Sequence, residues 1–471
     1  MSTYPSAAEL RQSFGLAESG REVFDPATGE LVGFAPAVTS EDVDAAVVAS
    51  RAAQKSWAAT SLQERRELMN AAADALDARA EELAVLLSRE QGKPMNGPNA
   101  RFEVGACSAW LRATASFDLE PEVLFDDESG RAELHYRPLG VVGAIGPWNW
   151  PMMIAVWQIA PSLRMGNSVI VKPSGYTSLC VTAMVNVMNT VLPEGLLQIV
   201  AGDRVVGNAM TTHEGIDKIM FTGSTPAGKA IVKAAADTLK RTTMELGGND
   251  AGIVLDDADP AAIANDLFWG AFINTGQTCA ALKRLYVPES LYEAVCEELV
   301  KVAAASPMGV GLSEENVLGP LQNKAQFDIV ASLVKSAKDS GARVLIGGEA
   351  PAEQAGFFFP TTLIADIDNN NPLVAEEQFG PALPIVKYTD LEQAIEWANA
   401  LEVGLGSSVW SSNRERALEV ASRLEAGTTW INKHGAIDPR MPFGGAKQSG
   451  FGLEFGVEGL KHVAQPHVIN F

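Results

Sequence analysis

The sequence predicts an α/β protein whose parallel strands are divided between two domains. Two series of short apolar strands alternate with helical segments, one over residues 141–246 and the other from residue 249 onward. The chain has 471 residues, of which 47% are hydrophobic, so it can form ample core and is too long for one compact unit. Two or three domains are therefore expected.

The residues ahead of the first strand series predict a helical layer. Residues 39–58 open with residues that commonly cap helices and continue with helix formers, and residues 61–93 carry a similar pattern. Neither segment carries an evident catalytic pattern.

An apolar stretch at residues 140–163 is long enough to span a bilayer. It contains Pro147, Pro151 and Pro161 together with the polar Asn149. Because proline removes a backbone donor and disrupts a helix interior, a buried strand, turn and helix is the better interpretation. No membrane association is expected.

The two strand series alternate with helices, as parallel sheets require. The first series has strands at 141–146, 168–174, 196–202, 218–224 and 242–246. The second has strands at 252–255, 284–287, 343–348, 382–388 and 428–432, with helices at 291–305, 323–340, 390–400 and 413–426. Residues 118–133 and the tail 461–471 predict a separate small β element.

The charge balance disfavours nucleic-acid binding. Lysine and arginine number 36 and aspartate and glutamate 58, which leaves a formal net charge of −22. A polyanion would meet a repulsive field rather than a basic groove. The first residues also lack a basic start followed by an apolar stretch, so no signal peptide is evident and the cytoplasm is expected.

The cysteine spacing indicates reduced thiols. Cys107, Cys180, Cys279 and Cys296 are scattered, with no CxxC pair and no closely spaced histidines, so no metal site is predicted. Three of them fit ordinary core packing, in which a buried thiol behaves as a small hydrophobe. Cys279 differs in its surroundings.

The loop that contains Cys279, NTGQTCAALKR at 274–284, suits a reactive thiol. Gly276 lets the backbone turn closely, and Asn274, Gln277 and Thr278 are poor choices for a sealed core. The loop alone leaves open whether the partner of the thiol is a histidine, a carboxylate or a cofactor.

This loop resembles the cysteine loop of the NAD(P)-dependent aldehyde dehydrogenase superfamily. Further blocks match that family's motifs in order and spacing: PWNWP at 147–151, GNSVIVKPS at 166–174, FTGSTPAG at 221–228, MELGGND at 244–250, EEQFGP at 376–381 and PFGGAKQSG at 442–450. The resemblance covers nearly the whole chain. It implies oxidation of an aldehyde to a carboxylic acid with hydride transfer to NAD(P)+.

The resemblance assigns three catalytic residues. Cys279 corresponds to the nucleophile, which forms a thiohemiacetal and then a thioester with the substrate. The Asn149 amide and the Cys279 backbone N–H correspond to the oxyanion hole. Glu245 corresponds to the general base that activates water for thioester hydrolysis, a role that a pKa raised by partial desolvation would suit.

The family's cofactor-binding positions can be carried over in the same way. They correspond to Trp148, Lys172, Ser174, Gly223, Ser224, Leu246, Glu377 and Phe379. Lys172 would hold the adenosine ribose, and Ser224 would donate to the pyrophosphate near a helix N-terminus. Glu377 and Phe379 would fix the nicotinamide ribose and ring.

One departure from the family pattern bears on cofactor choice. Members that prefer NAD commonly have a glutamate after the lysine triplet, and this sequence has Gly175 there. Without that carboxylate, no negative charge at this position repels the 2′-phosphate of NADP. NAD is expected, and NADP remains open.

The positions matching the substrate tunnel are largely apolar and aromatic. They are Trp150, Ile154, Trp157, Thr278, Ala280, Ile437 and Phe443. We expect aromatic or medium-chain aliphatic aldehydes as substrates. Arg440 and His434 lie near these positions in the sequence and leave room for a polar substrate.

The resemblance also implies a fold and an assembly. A Rossmann-like NAD(P)-binding domain would comprise residues 1–122 and 139–246, and an α/β catalytic domain residues 247–445. A small β oligomerisation element would comprise residues 123–138 and 446–471. Since an exposed strand edge needs a partner, a homodimer or homotetramer is expected.

Three alternatives remain at the level of sequence. A CoA-acylating aldehyde dehydrogenase is disfavoured because such enzymes generally lack the carboxylate present here as Glu245. A cofactor-independent thiol hydrolase would pair Cys279 with a histidine such as His434. A non-catalytic protein on the same scaffold is disfavoured by the presence of Cys279, Glu245 and Asn149.

Overall fold

The computed structural model describes residues 4–352 and 355–471. The helices are α1 (Ala7–Phe14), α2 (Ser40–Ala58), α3 (Leu62–Asp77), α4 (Ala80–Gln91), α5 (Ala100–Ser116), α6 (Pro151–Arg164), α7 (Ser178–Met188), α8 (Arg204–Thr212), α9 (Thr225–Ala235), α10 (Pro260–Phe272), α11 (Tyr292–Ala304), α12 (Lys324–Asp339), α13 (Pro372–Ala375), α14 (Leu391–Asn399), α15 (Arg414–Ala421) and α16 (Gly456–His462).

The strands are β1 (Arg21–Phe24), β2 (Leu31–Ala35), β3 (Glu122–Asp127), β4 (Gly130–Pro138), β5 (Val141–Ile145), β6 (Ser168–Lys172), β7 (Leu197–Ile199), β8 (Lys218–Thr222), β9 (Arg241–Glu245), β10 (Asp250–Val254), β11 (Leu282–Pro288), β12 (Arg343–Ile346), β13 (Thr362–Ala365), β14 (Ala382–Tyr388), β15 (Val403–Gly404), β16 (Gly406–Trp410), β17 (Thr428–Ile431), β18 (Ala446–Lys447), β19 (Gly450–Phe451) and β20 (Ala464–Asn470). The sequence shows no evident signal peptide in the first residues of the chain. Of these, residues 1–3 lie outside the described residues.

The first strand series forms a sheet with the order β19-β9-β8-β5-β6-β7. Strands β5 to β9 pair in parallel, and β19 pairs antiparallel to β9. In β6, Ile170 packs in the cluster with α2 and α8, while Val169 and Val171 pack in the cluster with α6 and α7. Both faces are thus covered by helices, which is why β5 and the middle residues of β6 and β8 are apolar.

The second strand series forms a sheet with the order β12-β13-β14-β11-β10-β16-β17. Leu285 and Val287 of β11 pack in the cluster with α10 and α11, and Tyr286 packs in the cluster with α12 and α14. The α/β class with parallel-sheet domains is therefore confirmed. Strands β13 and β16 were not predicted from the sequence. Strand β13 is short, and β16 begins with the small residues Gly406, Ser407 and Ser408.

The small β element forms an antiparallel sheet with the order β20-β4-β3, in which Ala464–Asn470 pairs with Ala132–Pro138. The residues just before it pair elsewhere: β18 pairs with β15, and β19 joins the sheet of the first series. The division of the chain into domains at residues 122, 246 and 445 stays a prediction.

The apolar stretch at residues 140–163 forms the buried strand β5, a turn and the helix α6, as predicted. The helix predicted at 39–58 begins at Ser40, where Thr39 and Asp42 form a reciprocal capping box. The helix predicted at 413–426 ends earlier, at Ala421. Within residues 4–352 and 355–471, no helix combines the length and apolar character needed to cross a bilayer.

Candidate active site

The predicted catalytic residues lie at the ends of strands and in the loops between the two large sheets. Glu245 ends β9, Asn149 lies between β5 and α6, and Cys279 lies between α10 and β11. Ser224 follows β8 and precedes α9. Open α/β sheets place ligand sites at the carboxyl ends of their strands, where Glu245, Asn149 and Ser224 lie. Cys279 instead precedes the amino end of β11.

The turn before Cys279 has an unusual backbone. Asn274, Thr275 and Gly276 have φ angles of 51°, 57° and 75°, all in the left-handed region. A side chain at Gly276 would place its Cβ 2.2 Å from the carbonyl oxygen of Gly380, so only glycine fits. Thr275 is held in place because its Oγ1 accepts a hydrogen bond from the Gly319 N–H at 2.9 Å. Cys279, which follows this turn, is half-buried.

Asn149 is oriented by the same loop. Its Nδ2 donates to the Gln277 carbonyl oxygen at 3.0 Å, and its own backbone carbonyl accepts from Asn274 Nδ2 at 2.9 Å. An amide group has two hydrogens, so one remains free to donate. The backbone hydrogen bonds of the described residues include none from the Cys279 N–H. Both groups thus retain donor capacity, and their role as an oxyanion hole stays a prediction.

A buried ion pair that the sequence prediction missed supports Asn149 from behind. Lys93 and Glu103 are both buried, and Lys93 Nζ donates to Glu103 Oε2 and, at 2.8 Å, to the Asn149 carbonyl oxygen. The other Glu103 oxygen accepts from the N–H groups of Met152 and Met153 at 2.9 and 3.2 Å, at the start of α6. Nothing in the local sequence marks the pair, because its contacts with Asn149 and the start of α6 join segments that are distant in the chain.

Cys279 lines a cavity of about 220 Å³ together with most of the predicted nicotinamide-end residues. The lining residues are Pro147, Trp148, Asn149, Thr222, Gly223, Ser224, Leu246, Gly247, Cys279, Gln326, Ile329, Glu377 and Phe379. Trp148 and Phe379 meet edge to face at 5.4 Å between ring centroids. Gln326 and Ile329 lie on α12 and were not predicted.

A second cavity, of about 570 Å³, adjoins the first at Ser224. It is lined by Ile145, Lys172, Arg204, Gly207, Asn208, Thr211, Phe221, Ser224, Pro226, Ala227, Ala230, Ile231 and Ala234. Where the two cavities meet, α9 begins without a side-chain cap, so its first N–H groups point at the junction. A pair of cavities that meet at a helix N-terminus suits a dinucleotide, and the pyrophosphate contact of Ser224 stays a prediction.

Two predicted residues at the adenosine end differ in their positions. Lys172 is buried at the second cavity, and desolvation lowers the pKa of its ammonium. Ser174 lines neither of the two cavities and instead accepts from the Tyr176 N–H at 3.3 Å in the turn before α7.

Glu245 lies beside the first cavity without lining it. Both of its carboxylate oxygens are buried and have no hydrogen-bond partner among the described residues. A Cβ at Gly444 would lie 3.3 Å from Oε1. Burial, reinforced by the Glu454 carboxylate, raises the pKa of Glu245 well above its usual range. Burial also raises the pKa of Glu454 to about 8, which Lys218 opposes.

A sequence model of the aldehyde dehydrogenase family matches residues 16–469. The chain belongs to this family. It is therefore an oxidoreductase, and the resemblance drawn from its motifs is confirmed.

Relatives in the family share most of the chain. A geranial dehydrogenase of Castellaniella defragrans is 37% identical over 93% of this chain and 92% of its own. A phenylacetaldehyde dehydrogenase of Pseudomonas fluorescens is 37% identical over 93% of this chain and 90% of its own. The structure of a Bacillus cereus aldehyde dehydrogenase in complex with NAD+ is 34% identical, covers 96% of this chain and 93% of its own, and superposes with a TM-score of 0.92.

In this aldehyde dehydrogenase, none of the seven predicted substrate residues lines the cavity that contains Cys279. Trp150, Ile154, Trp157, Ala280 and Phe443 belong to one buried apolar cluster, against which Cys279 packs. Their role in substrate selection stays a prediction.

Thr278 and Ile437 complete the predicted substrate set. Thr278 Oγ1 accepts from Trp150 Nε1 at 2.9 Å, which ties the cysteine loop to the start of α6. Ile437, with Phe443, lines a different cavity of about 670 Å³ beside β17, whose lining does not include Cys279.

The geometry does not support a pairing of Cys279 with His434. His434 Nδ1 is hydrogen-bonded to Ser408 Oγ at 2.9 Å, and its Nε2 lies 3.5 Å from Asp250 Oδ2. Both ring nitrogens therefore lie against residues other than Cys279. The described residues contain no group of three His, Cys, Asp or Glu side chains placed to hold a metal ion.

Proposed function

We propose that the protein oxidises an aldehyde to the carboxylic acid through a covalent bond to Cys279, with a nicotinamide dinucleotide as hydride acceptor. The observation that carries this proposal is the cavity in which Cys279, the Asn149 amide, Glu377 and Phe379 meet. A nucleophile, oxyanion donors and the residues expected to hold the nicotinamide then face one small volume.

Cys279 and Asn149 act in the first half of the reaction. The Cys279 thiolate adds to the aldehyde carbon, and the carbonyl oxygen becomes an oxyanion. The free hydrogen of the Asn149 amide and the Cys279 N–H stabilise this charge. NAD(P)+ supplies the hydride acceptor when bound. When the oxyanion collapses and the hydride departs, Cys279 carries a thioester.

Glu245 acts in the second half of the proposed reaction. A water molecule attacks the thioester, Glu245 accepts its proton, and the carboxylic acid leaves as Cys279 is released. Because Glu245 is held beside Gly444 and Glu454, its side chain must turn towards the cavity to reach this water.

The proposal is tested by mixing the protein with a panel of aldehydes and NAD or NADP and following the absorbance of the reduced nicotinamide. Acid formation with stoichiometric reduction is the expected result. Acyl-CoA formation that depends on added CoA would favour the acylating alternative. Ester or amide hydrolysis without nucleotide, and no reduction with any aldehyde, would favour the thiol hydrolase.

Aromatic and medium-chain aliphatic aldehydes are the proposed substrates. Cys279 packs against a buried apolar cluster that includes Trp150, Trp157 and Phe443, and such aromatic side chains bind apolar groups. The names of the geranial and phenylacetaldehyde dehydrogenases support this class. Cytoplasm is the proposed location, supported by the free cysteines.

For the cofactor we propose NAD with substantial acceptance of NADP. The carbonyl of Gly175 accepts a hydrogen bond from the Arg21 guanidinium, and both residues line a cavity of about 250 Å³. Asp203 also lines this cavity, but its Oδ1 accepts from the Val205 N–H at 2.7 Å. A guanidinium beside the position without a carboxylate favours a 2′-phosphate.

Gly175→Glu is expected to raise the KM for NADP by about tenfold, equivalent to about 1.4 kcal/mol, with little change for NAD. The nearest atom to a Cβ at this position is the flexible end of Arg21, 3.3 Å away, so the side chain can be accommodated. The new carboxylate would repel the 2′-phosphate and would also pair with Arg21. Steady-state kinetics with both nucleotides provide the measurement, and an unchanged KM for NADP would contradict the proposal.

We propose that the chain forms a homodimer or homotetramer through the small sheet. Strand β3 is an edge strand of that sheet, and its residues Val123, Leu124 and Phe125 are exposed. An open, apolar strand edge binds another chain unless it is covered. A second copy is the proposed partner, because the expected activity requires no other protein.

Leu124→Lys is expected to shift the protein from oligomer to monomer, because it places a charge in the middle of the apolar edge. Sedimentation velocity measures the change. Val48→Lys, at an exposed position of α2, serves as the matched control and is expected to leave the assembly intact. A wild-type protein that sediments as a monomer would contradict the proposal.

A further inference from the structure

A buried lysine lies directly behind the nucleophile. Lys283, on β11, is 1% exposed, and its Nζ donates a hydrogen bond to the Cys279 carbonyl oxygen. The same Nζ lies 3.1 Å from Glu377 Oε1. An ammonium group is costly to bury unless it is paired, so both contacts are needed to hold it there. Sequence reasoning missed this residue, although it lies within the cysteine motif.

Lys283 also holds Glu377 at the cavity. The Glu377 carboxylate accepts from the Gly248 N–H in addition to its contact with Lys283. It occupies space that Gly247 leaves open, since a Cβ there would lie 2.6 Å from Glu377 Oε2. Glu377 lines the cavity with Cys279 in this position.

Three acidic side chains disfavour ionisation of the Cys279 thiol, and Lys283 favours it. Asp250, Glu377 and Glu245 each raise the pKa of the thiol, whereas Lys283 lowers it. Burial is the largest effect and raises the pKa of Cys279 to about 12. Loss of Lys283 would remove a positive charge that opposes the effect of these three acidic side chains on the thiol.

We propose that Lys283 is a positioning residue that joins the cysteine loop to the carboxylate of Glu377. Its positive charge also stabilises the thiolate form of Cys279. This inference rests on the proposed function, because it explains how a nucleophile can work among carboxylates that serve the cofactor and the water. One ammonium thereby ties together the groups expected to hold the substrate and the nicotinamide ribose.

The test is the rate at which iodoacetamide alkylates Cys279 as a function of pH, measured without nucleotide by mass spectrometry of the Cys279 peptide. Lys283→Met keeps the length of the side chain and removes its charge. We expect the pKa of the thiol to rise by about 1 unit or more, so that alkylation near neutral pH slows by about tenfold or more. Glu377→Gln removes a negative charge and is expected to change the rate in the opposite direction.

Lys240→Met provides the matched control. Lys240 is also buried, and its Nζ donates to the carbonyl oxygens of His213 and Ile216, far along the chain from the cysteine loop. Its substitution is expected to leave the alkylation profile of Cys279 unchanged. Thermal unfolding of each variant shows whether it is folded.

Several outcomes would overturn the inference. An unchanged alkylation profile in Lys283→Met would show that its charge does not act on the thiol. Faster alkylation at every pH would show that the lysine only packs the loop. If Lys283→Met does not fold, a Glu377→Gln variant whose alkylation is not faster than wild type overturns the inference by itself. A wild-type protein that reduces no nucleotide contradicts the proposed function instead, so the two failures are distinguishable.

Discussion

Cys279→Ala is expected to lower kcat for aldehyde oxidation by about 10⁴-fold or more, since no other group can form the covalent bond to the substrate. Cys279 is half-buried at the head of its loop, and alanine differs from it by one sulfur atom. The fold should therefore persist. Nucleotide reduction under saturating aldehyde, together with the thermal unfolding midpoint, provides the measurement.

Cys296→Ala is the matched control for this prediction. Cys296 is buried in α11, in the apolar cluster between α10, α11 and the sheet of the second strand series, where burial raises the pKa of its thiol to about 12. Its loss is expected to lower stability slightly and to leave kcat nearly unchanged. If Cys279→Ala retained aldehyde oxidation, the covalent mechanism would be wrong. If the wild type had no activity with any aldehyde, the non-catalytic alternative would gain support.

Glu245→Gln is expected to stop the reaction after the first half. The variant should reduce about one nucleotide per site in a rapid burst and then turn over about 10² to 10⁴ times more slowly, because glutamine cannot accept the proton of water. Rapid mixing detects the burst, and mass spectrometry of the intact protein detects the acyl group on Cys279. A normal steady-state rate would refute the role assigned to Glu245.

In the wild type, we expect the pH dependence of thioester hydrolysis to follow the ionisation of Glu245. Because burial and Glu454 raise the pKa of Glu245, the carboxyl is protonated below that pKa and cannot act as a base. Thioester hydrolysis should therefore accelerate as the pH rises through it. Glu454→Gln removes the neighbouring carboxylate and should move this rise to lower pH. A shift to higher pH, or none, would show that the two carboxyl groups are not coupled.

Much of the fold could be predicted because it depends on local patterns. The apolar strands of the first series, such as Val141–Ile145 and Ser168–Lys172, are buried on both faces and stand out against their helical neighbours. Strand β16 was missed because Ser407 and Ser408 are polar and yet buried in the middle of a sheet. Only the neighbouring strands show why small hydroxyl groups are tolerated there.

Some residues of the candidate site could likewise be found from the sequence, and others could not. Cys279 could be singled out from its loop, and its family counterpart supplied the roles of Asn149 and Glu245. Sequence reasoning did not find Lys93 or Glu103, which lie far from the cysteine loop in the chain and act on Asn149 through its backbone carbonyl. No sequence spacing encodes such a contact.

The sequence by itself determined the α/β class and the family and singled out Cys279 as the candidate nucleophile, because strand and helix periodicity and ordered motifs are properties of short segments. Only the tertiary structure decided the charges around that nucleophile. Lys283 meets Glu377, and Glu245 meets Glu454, across segments that are distant in the chain. The protonation states of Cys279 and Glu245 depend on burial and on charges a few ångströms away, and both quantities exist only after the two sheets have packed.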